Sequence, residues 1–216
     1  MFETNSASCG GFVGISDSFG AALWGLDYAM QMAFSNFSAS LFHVGGQSVF
    51  YNPFTRTPPP LFSPLNYISY LFLIPAPPTN QSTYRQWTIG PIYYSALVMA
   101  EALGSSNTTQ VFDLLPNNGN IFTPAYSIYV AGNLARILLF NYVSDPTGAS
   151  DLTVELQLAG TGGTATGPNQ VQVKYLQASS VSQKGNFTWA NQVIDYYYYY
   201  YYFRFYSFFP PLLDIR

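Results

Sequence analysis

Ten carboxylates and a single histidine supply nearly all the acid–base and nucleophilic capacity of this 216-residue chain. One carboxylate stands apart. Glu3 directly precedes a run of small residues and glycines, ETNSASCGG over residues 3–11. A carboxylate before such a loop suits a β/α protein, which carries its functional groups at the carboxyl ends of its strands. A solvated acid near a chain end is the commoner occupant of such a position, and position alone leaves both readings open. His43 has no Cys or His partner at metal-ligand spacing, so it reads as a core or rim histidine and no metal is expected. Gly45-Gly46 lacks both the Walker lysine and the Rossmann spacing, and no G-x-S-x-G elbow is present. A Ser-His-Asp or Cys-His arrangement stays open. No cofactor is expected.

The elements that would position Glu3 follow from periodicity. Residues 16–37 predict a helix, with Ser16 as its cap and Asp17 at its positive end. Phe19, Leu23, Leu26, Met30, Ala33 and Phe37 form one apolar stripe. Gly20 and Gly25 weaken helix propensity but permit close packing. Residues 39–44 predict a short strand buried on both faces, ending at Gly45-Gly46. A second helix is predicted over 91–103, with Pro91 in its first turn and Gly104 at its end. This alternation is that of a β/α protein.

Beyond Ser105-Ser106-Asn107-Thr108-Thr109 the period falls from 3.6 to 2. Leu152, Val154, Leu156 and Leu158 alternate with polar residues, as do Val171, Val173 and Tyr175. Further strands are predicted near 110–115, 125–130, 135–143 and 187–193, with turns at Gly132-Asn133 and Asp145-Pro-Thr-Gly148. The pattern predicts an antiparallel β-sandwich. Two stretches fit neither half. Residues 56–78 hold seven of the fifteen prolines, and residues 196–202 are seven consecutive tyrosines. An exposed tyrosine run would be β-prone and liable to aggregate.

Composition narrows the function classes. A net charge of −3 offers no basic face for nucleic acid. No apolar run approaches the roughly 18 residues of a membrane span, so no membrane partner is expected. Only 8 % of residues are charged while 19 % are aromatic, so solubility needs another source. Four N-x-S/T sequons at Asn36, Asn80, Asn107 and Asn186 suggest glycosylation of a secreted protein, although this chain shows no signal peptide. Cys9 is the sole cysteine and excludes an internal disulfide framework.

Residues 3–28, ETNSASCGGFVGISDSFGAALWGLDY, resemble the nucleophile segment of glycoside hydrolase family 79, the β-glucuronidases and heparanase-like enzymes. Glu3-Thr-Asn-Ser6, Gly10-Gly11, Ser16-Asp-Ser-Phe19, Ala21-Ala22 and Trp24-Gly-Leu-Asp27 stand in the family's order. HVGGQSVFYNPF over 43–54 is similar to the loop after the next strand of fungal-type members. The helix GPIYYSALVMAEALG and the β region after it are similar as well. The resemblance spans roughly 3–55 and 79–193.

The resemblance implies an α/β plus all-β fold. Residues 1–104 would be the last two βα units of a (β/α)8 barrel, interrupted by the 56–78 insertion. Residues 105–195 would be the β-sandwich, and 196–216 a low-complexity, disordered tail. Glu3 would be the nucleophile of a retaining glycosidase acting on a glucuronic-acid-containing glycan. Asn5, Ser6 and amides near Gly10 would favour its ionised form. Asn5, Gly10, Gly46 and Tyr51 would line the substrate site. Many members read Gly-x-x-x-Tyr in the loop after barrel strand eight. Here Gly46-Gln-Ser-Val leads to Phe50, with Tyr51 one place later, so Tyr51 is equally a packing residue.

The family's acid/base belongs to an Asn-Glu pair at barrel strand four, and no Asn-Glu occurs in these 216 residues. Two βα units do not close a barrel. The chain therefore reads as an enzyme fragment, inactive alone. Joining Thr55 to Pro77-Pro78-Thr79 restores a family-like loop, so residues 56–76 and the tyrosine tail read as translated intron. The alternatives are a non-catalytic secreted β-sandwich that binds carbohydrate, for which exposed aromatics should form a row, and a product with no function. Oligomeric state is not legible.

Overall fold

The computed structural model describes residues 3–45, 49–55, 88–145, 147, 150–156 and 170–193. Gly46, Asn80, the whole proline-rich stretch 56–78 and the tyrosine run lie outside them.

Helix α1 spans Phe19–Phe34, and α2 spans Pro91–Leu103. α2 has the predicted bounds, because Pro91 takes the first turn without a lost hydrogen bond and Gly104 ends the helix at φ 65°. α1 is shorter than the predicted 16–37. Ser16 and Asp17 are used by the preceding loop rather than by the helix end. The last turn closes at Asn36, which adopts φ 63° and donates its N–H to the Ala33 carbonyl. The two helices approach closely because Gly25 has no Cβ. One built there would lie 2.8 Å from Ser95 Oγ and 2.9 Å from Ile92 Cδ1. Ser95 Oγ instead donates to the Ala22 carbonyl at 2.6 Å, which satisfies a buried hydroxyl.

The expected strand over 39–44 reduces to one parallel bridge, Thr4 with Phe42. The Thr4 N–H donates to Leu41 O at 3.0 Å and the His43 N–H to Thr4 O at 2.9 Å. Burial on both faces is not observed, since Leu41 and Val44 are about half exposed. Phe42 lies edge-on to Trp24 and Tyr28 of α1. Strands β1 (Phe54–Thr55) and β2 (Thr88–Ile89) form a short antiparallel pair leading into α2.

The remaining ladders are antiparallel throughout. One sheet has the order β3-β4-β5, from Thr109–Asp113, Ala125–Val130 and Asn133–Leu139. The other has the order β6-β7-β8, from Leu176–Gln177, Thr188–Trp189 and Gln192–Val193. Two-residue turns join β4 to β5 at Ala131-Gly132 and β7 to β8 at Ala190-Asn191, all four residues at positive φ. That conformation matches the twist of a tight hairpin. The turn predicted at Gly132-Asn133 therefore sits one residue earlier. At the Asp145 turn, the carboxylate accepts from the Thr147 hydroxyl and N–H, at 2.7 and 2.9 Å. Among the described residues the alternating segments 151–156 and 171–175 are not part of a ladder; alternation fixes only which way side chains face.

Helices and sheets share their core. Leu26, Met30, Val98 and Ala102 pack with Tyr126, Ile128 and Phe140. Phe19, Ala22, Leu23 and Tyr94 pack with Phe187, which is fully buried.

Candidate functional site

The loop between the Thr4 bridge and α1 is built by hydrogen bonds to small side chains. Ser16 Oγ accepts from the Phe12 N–H at 3.0 Å and from the Ser6 hydroxyl at 2.8 Å. Asp17 Oδ1 accepts from the Gly14 N–H. Gly11 sits at φ 82°, and a Cβ there would meet Ser16 Oγ at 2.5 Å and Tyr51 Cδ1 at 2.9 Å. Glycine is thus required twice, by backbone sign and by the Tyr51 ring. The Phe50 N–H donates to Gly10 O at 2.7 Å, which ties the loop following the 39–44 segment to the first loop.

The opposite side of this loop is held from the β region. The Phe19 and Gly20 N–H groups, free at the start of α1, donate to Gln183 O and Val181 O at 2.9 and 2.8 Å. Lys184 Nζ lies 2.7 Å from Asp17 Oδ2, whose side chain is 1 % exposed. A buried carboxylate needs such a partner. Neither Lys184 nor the second role of Ser16 was legible in the sequence. Lys184 is remote from Asp17 along the chain and carries no spacing signal.

Glu3 itself is open, its side chain 72 % exposed. His43 Nε2 lies 4.0 Å from Glu3 Oε1, and His43 Nδ1 lies 2.7 Å from the hydroxyl of the buried Tyr51. The sequence reading assigned His43 to core or rim, and the structure adds that it faces the candidate nucleophile. Asn5 is spent on the scaffold. Its Nδ2 donates to His43 O at 3.0 Å, and its Oδ1 accepts from the Ser6 N–H at 2.8 Å. Glu3, Asn5, Gly10 and Tyr51 are therefore gathered in one region, while Gly46 lies outside the described residues.

A second polar cluster joins α1 to the first sheet. Tyr126 Oη donates to Asp27, and Gln31 Nε2 donates to Asp113 Oδ2 and Tyr126 Oη at 2.7 and 2.8 Å. Burial pushes the Asp27 carboxyl above its ordinary value of 3.8, against the lowering effect of the hydrogen bond from Tyr126. Burial and then the bond to Asp27 push the Tyr126 phenol up. Nearby, Glu101 accepts from Trp189 Nε1 at 2.9 Å and pairs with Lys174.

The aromatics that a carbohydrate-binding face would display are mostly engaged. Tyr126 is fully buried, Tyr142 donates to Leu23 O at 2.9 Å, and Trp189 is bound to Glu101. Tyr175 is exposed, so these residues form no outward row. Asn36, Asn107 and Asn186 are exposed, while Asn80 lies outside the described residues. Among the described residues no three His, Cys, Asp or Glu cluster as metal ligands, and no helix is long and apolar enough to cross a membrane.

Residues 125–198 match the model of the glycosyl hydrolase family 79 C-terminal β domain. The chain is also similar to two curated proteins named β-glucuronidase. The one from Aspergillus niger is 32 % identical over 153 residues, covering 71 % of this chain and 24 % of that protein. The one from Neurospora crassa is 30 % identical over 157 residues, covering 68 % and 24 %. The chain thus spans about a quarter of the length of these relatives.

Proposed function

From a chain that carries a C-terminal portion of glycosyl hydrolase family 79, we propose a part in the hydrolysis of β-glucuronide-type glycans, with Glu3 as the nucleophile of a retaining reaction. The observation that carries this reading is the parallel pairing of Thr4 with Phe42. It brings Glu3, Asn5, the Gly10-Gly11 turn and Tyr51 to one place beside the first turn of α1. In this reading the Thr4 and 39–44 segments, with α1 and α2, are the last two βα units of a (β/α)8 barrel. The sheets after them form the sandwich.

A retaining glycosidase needs a second carboxyl about 5–5.5 Å from the nucleophile to protonate the leaving oxygen. Among the described residues no other Glu or Asp is placed to supply it. Glu101 is committed to Trp189 and Lys174, and Asp17 to Gly14 and Lys184. We assign that acid to an Asn-Glu pair outside these residues, so the chain alone is inactive. In a form extended upstream to the length of its relatives, Glu3→Gln should cut kcat on an aryl β-glucuronide by at least about 10³-fold. A variant that kept its rate would refute the assignment. Secretion and glycosylation at the four sequons are part of the same proposal. They would appear as a mass loss on treatment with an endoglycosidase.

A further inference from the structure

Resting on the assignment of Glu3 above, we propose that His43 is a positioning residue, oriented by the Tyr51 hydroxyl so that an Nε2–H faces the Glu3 carboxylate. The geometry has three parts. Tyr51 is 3 % exposed, and its ring edge is trapped against Gly11, so its hydroxyl has one place to be. That place is 2.7 Å from His43 Nδ1. The other ring nitrogen, Nε2, is 4.0 Å from Glu3 Oε1.

The tautomer follows from what each nitrogen meets. A bare Nε2 lone pair turned toward a carboxylate oxygen is repelled, whereas an Nε2–H is attracted. With Nε2 protonated, Nδ1 must accept, and the Tyr51 O–H is the donor within reach. The backbone holds the ring in place as well. The His43 N–H is bonded to Thr4 O, and its carbonyl accepts from Asn5 Nδ2. Thr4 and Asn5, the two residues that follow Glu3, thus clamp the histidine that faces it. The described groups that face the ring are Glu3 and Tyr51.

The consequence for Glu3 is directional. Asn5 and Ser6 are spent on the scaffold, so the N–H that faces the nucleophile comes from His43. It restrains the rotation of the carboxylate, which attack on an anomeric carbon requires. It also explains a tyrosine one place later than the family-like spacing. Tyr51 acts through the histidine and does not need to reach the substrate.

The test uses the fact that His43 is the chain's only histidine. A long-range ¹H–¹⁵N spectrum of the ¹⁵N-labelled full chain, taken above the imidazole titration, reads its tautomer with no overlap. The expected spectrum shows the Nε2–H form alone. Tyr51→Phe keeps the ring and removes only the hydroxyl, and it should restore a mixture of both tautomers. Glu3→Gln alters an exposed side chain and should keep the single tautomer while moving the Nε2 resonance. An Nδ1–H form in the parent, or a spectrum that ignores both substitutions, overturns the proposal. The readout does not depend on catalysis. An extended enzyme indifferent to Glu3→Gln would remove the nucleophile assignment and leave the tautomer result standing.

Discussion

Two polar networks meet helix α1, one at the loop before it and one along its face toward the first sheet. They treat their carboxylates differently. At the loop, the candidate nucleophile Glu3 is largely exposed, and the groups around it are fixed by backbone bonds from Thr4, Gly10 and Phe50. At the sheet, Asp27 is half-buried, bound by Tyr126, and has its carboxyl pushed up by burial. Displaced titration usually invites a catalytic reading. Here the displaced group lies in the seam between helix and sheet, among residues that hold the molecule together. The proposed chemistry belongs instead to Glu3, a carboxylate whose neighbours are ordered and whose surroundings are open. The lesson is that a site is assigned by what it can reach, and burial alone marks structure.

The contrast can be strained first at the seam. Phe187→Ala removes a fully buried ring that packs on Phe19 and Tyr94. It should cost about 3–5 kcal/mol in denaturant unfolding. A loss below ~1 kcal/mol would mean that helices and β region do not share a core. A smaller effect is expected at the loop. Lys184→Met keeps the aliphatic stem and leaves the buried Asp17 without its cation. The loss should be about 1–3 kcal/mol by the same measurement. A change of only a few tenths would show that the Gly14 N–H satisfies Asp17 unaided.

The mildest test is one of pH. Asp27 has a raised folded value, so its carboxyl adds most to stability when protonated in both states, below 3.8. As pH climbs through the range just above 3.8, that contribution is lost, because the fold must then hold a partly buried anion. Asp27→Asn lacks this loss. Its stability relative to the parent should rise between pH 3.5 and neutrality. A constant difference across that range would place Asp27 in a solvated setting.

Much of this was legible where the rules are local. Pro91 and Gly104 mark both ends of α2, and the apolar run 125–130 forms β4 over the predicted residues. The order of small residues from Glu3 to Asp27 pointed to the family that the β-domain match supports. What escaped was set by tertiary partners. Ser16 and Asp17 look like helix-start residues and do fall at that end, yet they serve the loop. That choice depends on Ser6 and Lys184, which no local pattern connects to them. His43 looked inert because its spacing suits no metal. The role proposed for it depends on a bridge that aligns two segments some forty residues apart. The alternation at 151–156 and 171–175 named the facing of side chains, and among the described residues neither segment is part of a ladder.

The central claim is that Glu3 forms the bond to the sugar. An activated 2-deoxy-2-fluoro β-glucuronide, whose glycosyl-enzyme is slow to hydrolyse, captures the nucleophile of a retaining enzyme. With the chain in its upstream-extended form, peptide mass spectrometry should find one fluoroglucuronyl group, carried by the peptide that begins the ETNSASCGG stretch and localised to Glu3. A label on any other carboxylate, or turnover with no covalent adduct, would contradict it.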